Sequence, residues 1–305
     1  MAFKSPLYSL LFIMILSLAV FCSAEDDGDK PYSCSKATYY KNPEGGKSKG
    51  ACGMKEWEKK INDGKVGAVS HRLYKDGKSC GTCYEVKCGE KKWCSEKGTK
   101  MVVTDCDESD KEGTDFRMSY KAYGDMAKDE ESKKRLFEKG EVEVKYKRVK
   151  CDYFKDGHKF MVKYDKKNSK WPDYHKITAL YNDDEDYIDE VKIIAKDEKE
   201  KEKEKEKEKR WEFKEMRRAY GAVWDIATYK PKSFVEIKTE KGKKYYEWVK
   251  CMEKDEKDEK DDKCEKDDED DKDDKDDKNK KDGAADDGRD HGKSSAKAAT
   301  EKLIN

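Results

Sequence analysis

Between Glu141 and Val149 the chain alternates: Val142, Val144 and Tyr146 take every second place among glutamates and lysines. That period of two is the mark of a strand with one buried face. Strand-like runs also precede it, at 36–40 (KATYY), 82–88 (TCYEVKC) and 99–105 (TKMVVTD). Between Ser119 and Gly140, with Ser119 as a cap and Gly140 as a stop, one or two short helices are predicted. The residues from Ser35 to Tyr153 therefore read as a small, mostly β domain with a barrel-like core.

A turn signal at Asp156 and Gly157 closes this region. Strand-length runs follow at 159–165 (KFMVKYD), 175–182 (HKITALYN), 187–195 (YIDEVKIIA), 233–240 (SFVEIKTE) and 243–250 (KKYYEWVK). Their close spacing, with no cysteine until Cys251, predicts an antiparallel β-sandwich. Trp224 and Trp248 are assigned to its core. Two stretches fit neither domain. The run 196–210 alternates Lys and Glu without an apolar face and is read as an insertion in a loop between two strands. From Cys251 to Asn305 nearly every residue of the first half is charged, and a disordered tail is expected.

The start of the chain alters the setting. Lys4 precedes an apolar run from Leu7 to Phe21, and Cys22-Ser23-Ala24 supplies small residues before a cut at Glu25. This is the pattern of a signal peptide over residues 1–24, too short to span a bilayer, so an exported protein without a membrane partner is expected. Ten of the eleven cysteines remain after the cut, and six lie between Cys52 and Cys106. In an oxidising compartment such crowding favours disulfides over zinc, although CGTC at 80–83 has metal-ligand spacing. His71, His158, His175 and His291 show no metal spacing and are read as ordinary surface or loop residues. No metal or cofactor is expected. Seventy basic and seventy acidic side chains cancel, which argues against nucleic acid as a partner.

The order of motifs then carries a resemblance. ATYY at 37–40, GACG at 50–53, IND at 61–63, RLYKDGKSCGTCYEVKC at 72–88, VVTD at 102–105 and TDFRMS at 114–119 together resemble the first domain of the plant expansin superfamily, and within it the expansin-like B proteins. In the second half, WPDY at 171–174, YGAVWD at 220–225 and YYEWV at 245–249 are similar to the family's carbohydrate-binding domain. The resemblance implies an all-β chain: a six-stranded double-psi β-barrel of the family 45 endoglucanase kind over 35–153, then a β-sandwich carbohydrate-binding domain over 158–250. A closing strand typical of the family has no counterpart, because the chain runs into the charged tail. It also implies the disulfides Cys52–Cys80, Cys83–Cys151 and Cys88–Cys94. Cys34 with Cys106, and Cys251 with Cys264, are open as further pairs or as thiols.

Function follows from the same resemblance. Glycoside hydrolysis ordinarily takes two carboxyl groups, one of them a proton donor. The family keeps such an acid in an HFDLS motif; here the five residues are DFRMS, with Asp115 for the histidine and Arg117 for the acid. A guanidinium stays protonated and cannot donate. Asp105 matches the family's groove aspartate, Tyr40 its groove-lining aromatic, and Tyr39 reads equally well as core. On the sandwich, Tyr174 and Tyr220 match exposed aromatics of the family, and either Trp211 or Phe213 is the third. Sugar rings stack on such side chains. The expectation is a secreted, non-enzymatic, monomeric cell-wall protein that binds cellulose or matrix glycan and loosens the wall without cutting. Two alternatives stand beside it: a wall-polysaccharide-binding or defence module with no mechanical effect, and a weak endo-glucanase using Asp105 and Asp115.

Overall fold

The computed structural model describes residues 30–42, 50–54, 61–107, 113–154, 157–196 and 211–249. The expected signal peptide, most of the charge-alternating insertion and the tail lie outside them, as does the place of a closing strand after Val249. By contacts, the described residues form two compact units. The first takes those up to Met161 with Ala179–Ile188 and Arg218–Val223; the second takes Val162–Thr178, Asp189–Arg217 and those from Trp224 on.

Six strands close the barrel: β1 (Ser33–Tyr39), β2 (Val66–Val69), β3 (Cys83–Cys88), β4 (Thr99–Cys106), β5 (Thr114–Met118) and β6 (Val142–Val149), in the order β1-β5-β2-β4-β3-β6. The pairs β1·β5 and β2·β4 are parallel, whereas β1·β6, β2·β5, β3·β4 and β3·β6 are antiparallel. Val86, Val102, Val103, Phe116, Met118 and Val144 are buried in the barrel's hydrophobic core. Tyr84, Phe116 and Tyr146 meet edge to face within it, 4.9 to 5.8 Å apart. Gly67 is required on β2, since a Cβ there would come within 2.6 Å of the Arg117 carbonyl oxygen and the Met101 sulfur. Helix Tyr120–Gly124 begins at Ser119, whose hydroxyl accepts the Ala122 N–H, and helix Glu130–Lys139 stops at Gly140 in a left-handed turn.

Cys52–Cys80, Cys83–Cys151 and Cys88–Cys94 are disulfides, with Cα–Cα separations of 5.4, 5.3 and 5.7 Å. Cys34 is also disulfide-bonded, whereas Cys106 is a thiol, so these two do not pair with each other. Cys34 sits on β1 opposite Lys145 of β6, while Cys106 ends β4 beside Val69 of β2. Different barrel neighbours separate them.

The seven later strands hydrogen-bond in one order, β13-β12-β9-β10-β11-β8-β7, which folds over as a near-barrel β-sandwich. They are β7 (Phe160–Tyr164), β8 (Tyr174–Tyr181), β9 (Ile188–Lys196), β10 (Trp211–Tyr220), β11 (Val223–Ala227), β12 (Phe234–Thr239) and β13 (Lys244–Trp248). Lys196 pairs with Trp211, so the charge-alternating insertion joins neighbouring antiparallel strands. Two expectations need correcting. Trp224 is buried, but Trp248 is 53% exposed: it ends the edge strand β13, with one ring edge on Phe234. His175 is not a surface residue but fully buried on β8. Its Nδ1 lies 3.1 Å from the Tyr164 hydroxyl, and its Nε2 lies 2.8 and 3.0 Å from the Pro172 and Thr228 carbonyls. Two carbonyls require an N–H at Nε2, which leaves Nδ1 to accept from Tyr164.

Candidate glycan-binding site

Strand register assembles the groove. Thr38 on β1 pairs with Arg117 on β5, Arg117 with Ala68 on β2, and Ala68 with Asp105 on β4. Arg117 and Asp105 thus lie two strands apart, about 10 Å by strand spacing, with small Ala68 between them. Tyr40, at the end of β1, spans this row. Its hydroxyl donates to Asp105 Oδ2 at 3.3 Å, and the Arg117 guanidinium carbon is 5.8 Å from its ring centre. Cation–π attraction at that distance steadies both side chains. Burial first, and then the Asp105 charge, push the Tyr40 hydroxyl well above the usual phenol range, so it remains a donor.

Asp105 is also fixed from behind. Its Oδ1 accepts the backbone N–H groups of Ala51 at 2.7 Å and Cys106 at 2.9 Å. The Ala51 contact depends on Gly50, where a Cβ would lie 2.3 Å from the Thr104 carbonyl oxygen. Tyr74 supports the same loop by donating to the Ala51 carbonyl at 3.0 Å; burial, then Cys106 and Asp105, push its hydroxyl up to about 12. His71 Nδ1 lies 3.4 Å from the Cys106 sulfur. None of Tyr74, His71 and Cys106 stood out as a groove neighbour in the sequence, because each depends on β2, β4 and the short helix His71–Tyr74 coming together.

Asp115 goes elsewhere. It is buried, and its two oxygens accept from the Ser70 hydroxyl and the Arg72 guanidinium, which also donates to the Tyr146 hydroxyl. Its partners and those of Asp105 do not overlap. Asp107, which the sequence did not single out, is buried, with 6% side-chain exposure. Its Oδ1 lies 3.3 Å from Arg117 Nη2. The cause is local: its backbone N–H bonds to the Val69 carbonyl, so the β2·β4 pairing extends through it and turns it inward. The groove floor is therefore an Asp105–Tyr40–Arg117–Asp107 chain, with donors and acceptors for sugar hydroxyls around one aromatic face. Tyr39 belongs to the packing, with its ring against Tyr123 and Phe137.

On the second unit, Tyr174 is half-buried and donates to Asp225 Oδ2 at 2.6 Å. Arg217 grips the same carboxylate with two bonds, Nε to Oδ1 at 3.0 Å and Nη2 to Oδ2 at 2.9 Å. Arg217, and then Tyr174, hold the Asp225 carboxyl below the usual range. The Tyr174 ring is thus held in place by its hydroxyl. Phe213, half-buried on β10, lies 6.0 Å from the Tyr246 ring. Tyr220, which belongs to the first unit, is 43% exposed beside Gly53, where a Cβ would come within 2.6 Å of its ring. The Trp211 side chain lies outside the described residues, and so does any choice between it and Phe213. No group of three or more metal-ligating side chains occurs among the described residues, and no helix of theirs is long and apolar enough to cross a membrane.

Comparison with known proteins places this geometry. A family model described as lytic transglycolase, of the double-psi β-barrel, matches residues 66–146. Expansin-like B1 of Arabidopsis thaliana is 36% identical over 218 residues, covering 71% of this chain and 78% of its own. Expansin-B1 of Oryza sativa subsp. japonica is 34% identical over 223 residues, covering 71% and 77%. A point mutant of the Clavibacter michiganensis expansin, solved in complex with cellohexaose, superposes with a TM-score of 0.51 at 17% identity. It covers 72% of this chain and 92% of that one, a likeness of fold.

Proposed function

The chain belongs to the expansin superfamily, beside the expansin-like B proteins, and from that premise we propose that it binds plant cell-wall polysaccharide outside the cell and loosens the wall without cutting it. The observation that carries the non-cutting part is Arg117. It stands where the family motif keeps its proton donor, and its guanidinium is committed to Asp107 and to the Tyr40 face. No step of acid catalysis can begin there. The endo-glucanase alternative would need Asp105 and Asp115 to work as a pair, yet each is engaged by its own set of partners.

In this reading Tyr40 stacks on a sugar ring, while Asp105 and Arg117 accept and donate to its hydroxyls. Asp115 serves the groove indirectly, by holding Ser70 and Arg72 at the end of β2. Tyr174, Tyr220 and Phe213 or Trp211 offer further aromatic faces to glycan. Apolar C–H faces against aromatic rings, with polar groups at the rim, give binding that tolerates a range of glycans. Such contacts compete with glycan–glycan contacts in the wall, and slippage needs no broken bond. Secretion after removal of residues 1–24, a monomeric state and action without a cofactor complete the proposal.

Creep of heat-inactivated wall strips under constant load, at mildly acidic pH, tests it with the native protein and Arg117→Asp. Extension by the native protein, without release of reducing ends, is the expected result. Extension by Arg117→Asp alone would reduce the native function to binding. Extension by neither would remove loosening altogether.

A further inference from the structure

We propose that Phe213, Tyr246 and Trp248 form a stacking platform at the β13 edge of the second unit, on which a neutral β-linked glucan chain lies. The proposal rests on the reading of this protein as a wall-glycan binder and gives that reading a further subsite. Strand register assembles the platform. On β13 and β12 it sets Trp248 opposite Phe234 and Tyr246 opposite Glu236; on β10 and β9 it sets Phe213 opposite Ile194. Directly opposed residues share a face of the sheet. Ion pairs from Lys192 to Glu236 and from Lys238 to Glu190 join that face of β9 to that of β12. Val191, Ile193, Val235 and Ile237 take the alternate positions and turn, fully buried, toward the core.

An exposed apolar ring standing singly on a surface signals nothing. Trp248 does not stand singly. It is 53% exposed and meets buried Phe234 edge to face, with ring centres 4.9 Å apart. Tyr246, half-buried, lies parallel to Phe234 at 6.1 Å and stands 6.0 Å from the Phe213 ring. Phe234 and Ile194 share the face but are buried, so the three outer rings carry its aromatic surface. Along β13, Trp248 lies two residues, about 7 Å, beyond Tyr246. The rings therefore offer more than one contact to an extended chain.

The Tyr246 hydroxyl donates to Glu236 Oε2 at 2.9 Å, and buried Glu236 lies 3.3 Å from Lys244 Nζ and 3.9 Å from Lys192 Nζ. This repeats the arrangement at Tyr174, whose hydroxyl meets a buried carboxylate gripped by Arg217. In both, the hydroxyl fixes the ring, and less freedom is lost when a ligand arrives. The charges also choose the ligand. Lys192 and Lys244 are paired with Glu236, and Lys192 and Lys238 with Glu190. A face whose charges answer one another gives no lead to an acidic or a basic polymer. Aromatic rings beside it suit a neutral one, and β-linked glucose, with its hydroxyls equatorial, presents an apolar C–H face on each sugar.

Retention of the full chain on cellulose, and tryptophan emission on adding cellohexaose, test the platform. Trp248→Leu keeps an apolar side chain on Phe234 but removes the ring; it should bind cellulose about fivefold to tenfold more weakly, the loss of one stacking contact. Trp248→Phe, which keeps a ring, should bind within about threefold of native. A control losing an exposed ring elsewhere, Tyr229→Leu, should bind within about twofold of native. Native emission should shift to the blue as cellohexaose dries the Trp248 ring, and Trp248→Leu should lose that shift, a signal that a purely structural tryptophan would not give. Retention should not change with salt, since a neutral glycan leaves no charge to screen. Native-like cellulose binding by Trp248→Leu, or an equal loss in Tyr229→Leu, would overturn the proposal and leave the wider function intact. Sedimentation equilibrium addresses a rival occupant: a native dimer that Trp248→Leu splits would assign this face to a second copy and overturn the proposal as well. Native protein that binds neither cellulose nor cellohexaose would remove the platform together with the broader function.

Discussion

Replacing Arg117 by leucine leaves the Asp107 carboxylate, 6% exposed, without the guanidinium 3.3 Å away. Coulomb's law at an effective dielectric near 20 gives about 5 kcal/mol for unit charges at that distance. Most of this is offset by the cost of drying both ions, and the guanidinium, 34% exposed, is partly screened by water. The loss expected for Arg117→Leu is about 1–2 kcal/mol, between exposed and fully buried pairs. Urea unfolding of the oxidised protein at pH 7 and low salt would measure it. The partner variant Asp107→Asn removes the buried charge, so Arg117→Leu/Asp107→Asn should recover at least half the loss. If Arg117→Leu falls within about 0.3 kcal/mol of native, or if the two changes simply add, then Arg117 does not hold Asp107 and the groove floor must be explained differently.

Two further expectations follow from buried contacts. Burial lowers the His175 pKa below its ordinary value of 6.5, so the native state keeps this ring neutral where the unfolded chain begins to take up a proton. Its contribution is fully present above pH 6.5 and lost as pH falls through the folded value; thermal midpoints at pH 7 and pH 5 should differ less in His175→Gln than in native protein, and an equal difference would refute the assignment. Gly50→Ala would force a Cβ against the Thr104 carbonyl, displacing the Ala51 N–H from Asp105; a loss of about 1–3 kcal/mol on urea unfolding, with weaker cello-oligosaccharide binding by calorimetry, is expected, and native stability would show that the loop yields freely.

What could be read from the sequence depended on how locally each feature is determined. The alternating strands β3 and β6 and the capped helices carry their signal within a few residues, so their places were legible. Strand β2, Val-Gly-Ala-Val and buried throughout, shows no alternation, and β5 was visible only as a motif. Both pair on two sides inside the barrel, where polar spacing disappears. Asp105, Tyr40 and Arg117 could be named because each stands at a known place in a motif. Asp107 could not be told from its acidic neighbours, since its burial comes from the β2·β4 ladder running one residue further. His175 and Trp248 failed for opposite reasons: a polar ring found three buried partners, and an apolar ring ended an edge strand.

Arg117 also bears on what kind of groove this is. A barrel that cuts glycans needs a carboxyl group able to hold a proton and a second one positioned for water or attack. Among the described residues, three carboxylates at and near the floor are tied: Asp105 to two backbone N–H groups and Tyr40, Asp107 to Arg117, and Asp115 to Ser70 and Arg72. Ties of this kind position hydrogen-bonding groups around one aromatic face. Stacking and hydrogen bonding ask for that fixed arrangement and gain from it, since less freedom is lost when the glycan arrives. A floor fixed in this way suits reversible binding. Under the proposed reading, Arg117 therefore belongs to a groove that holds a chain rather than breaks it.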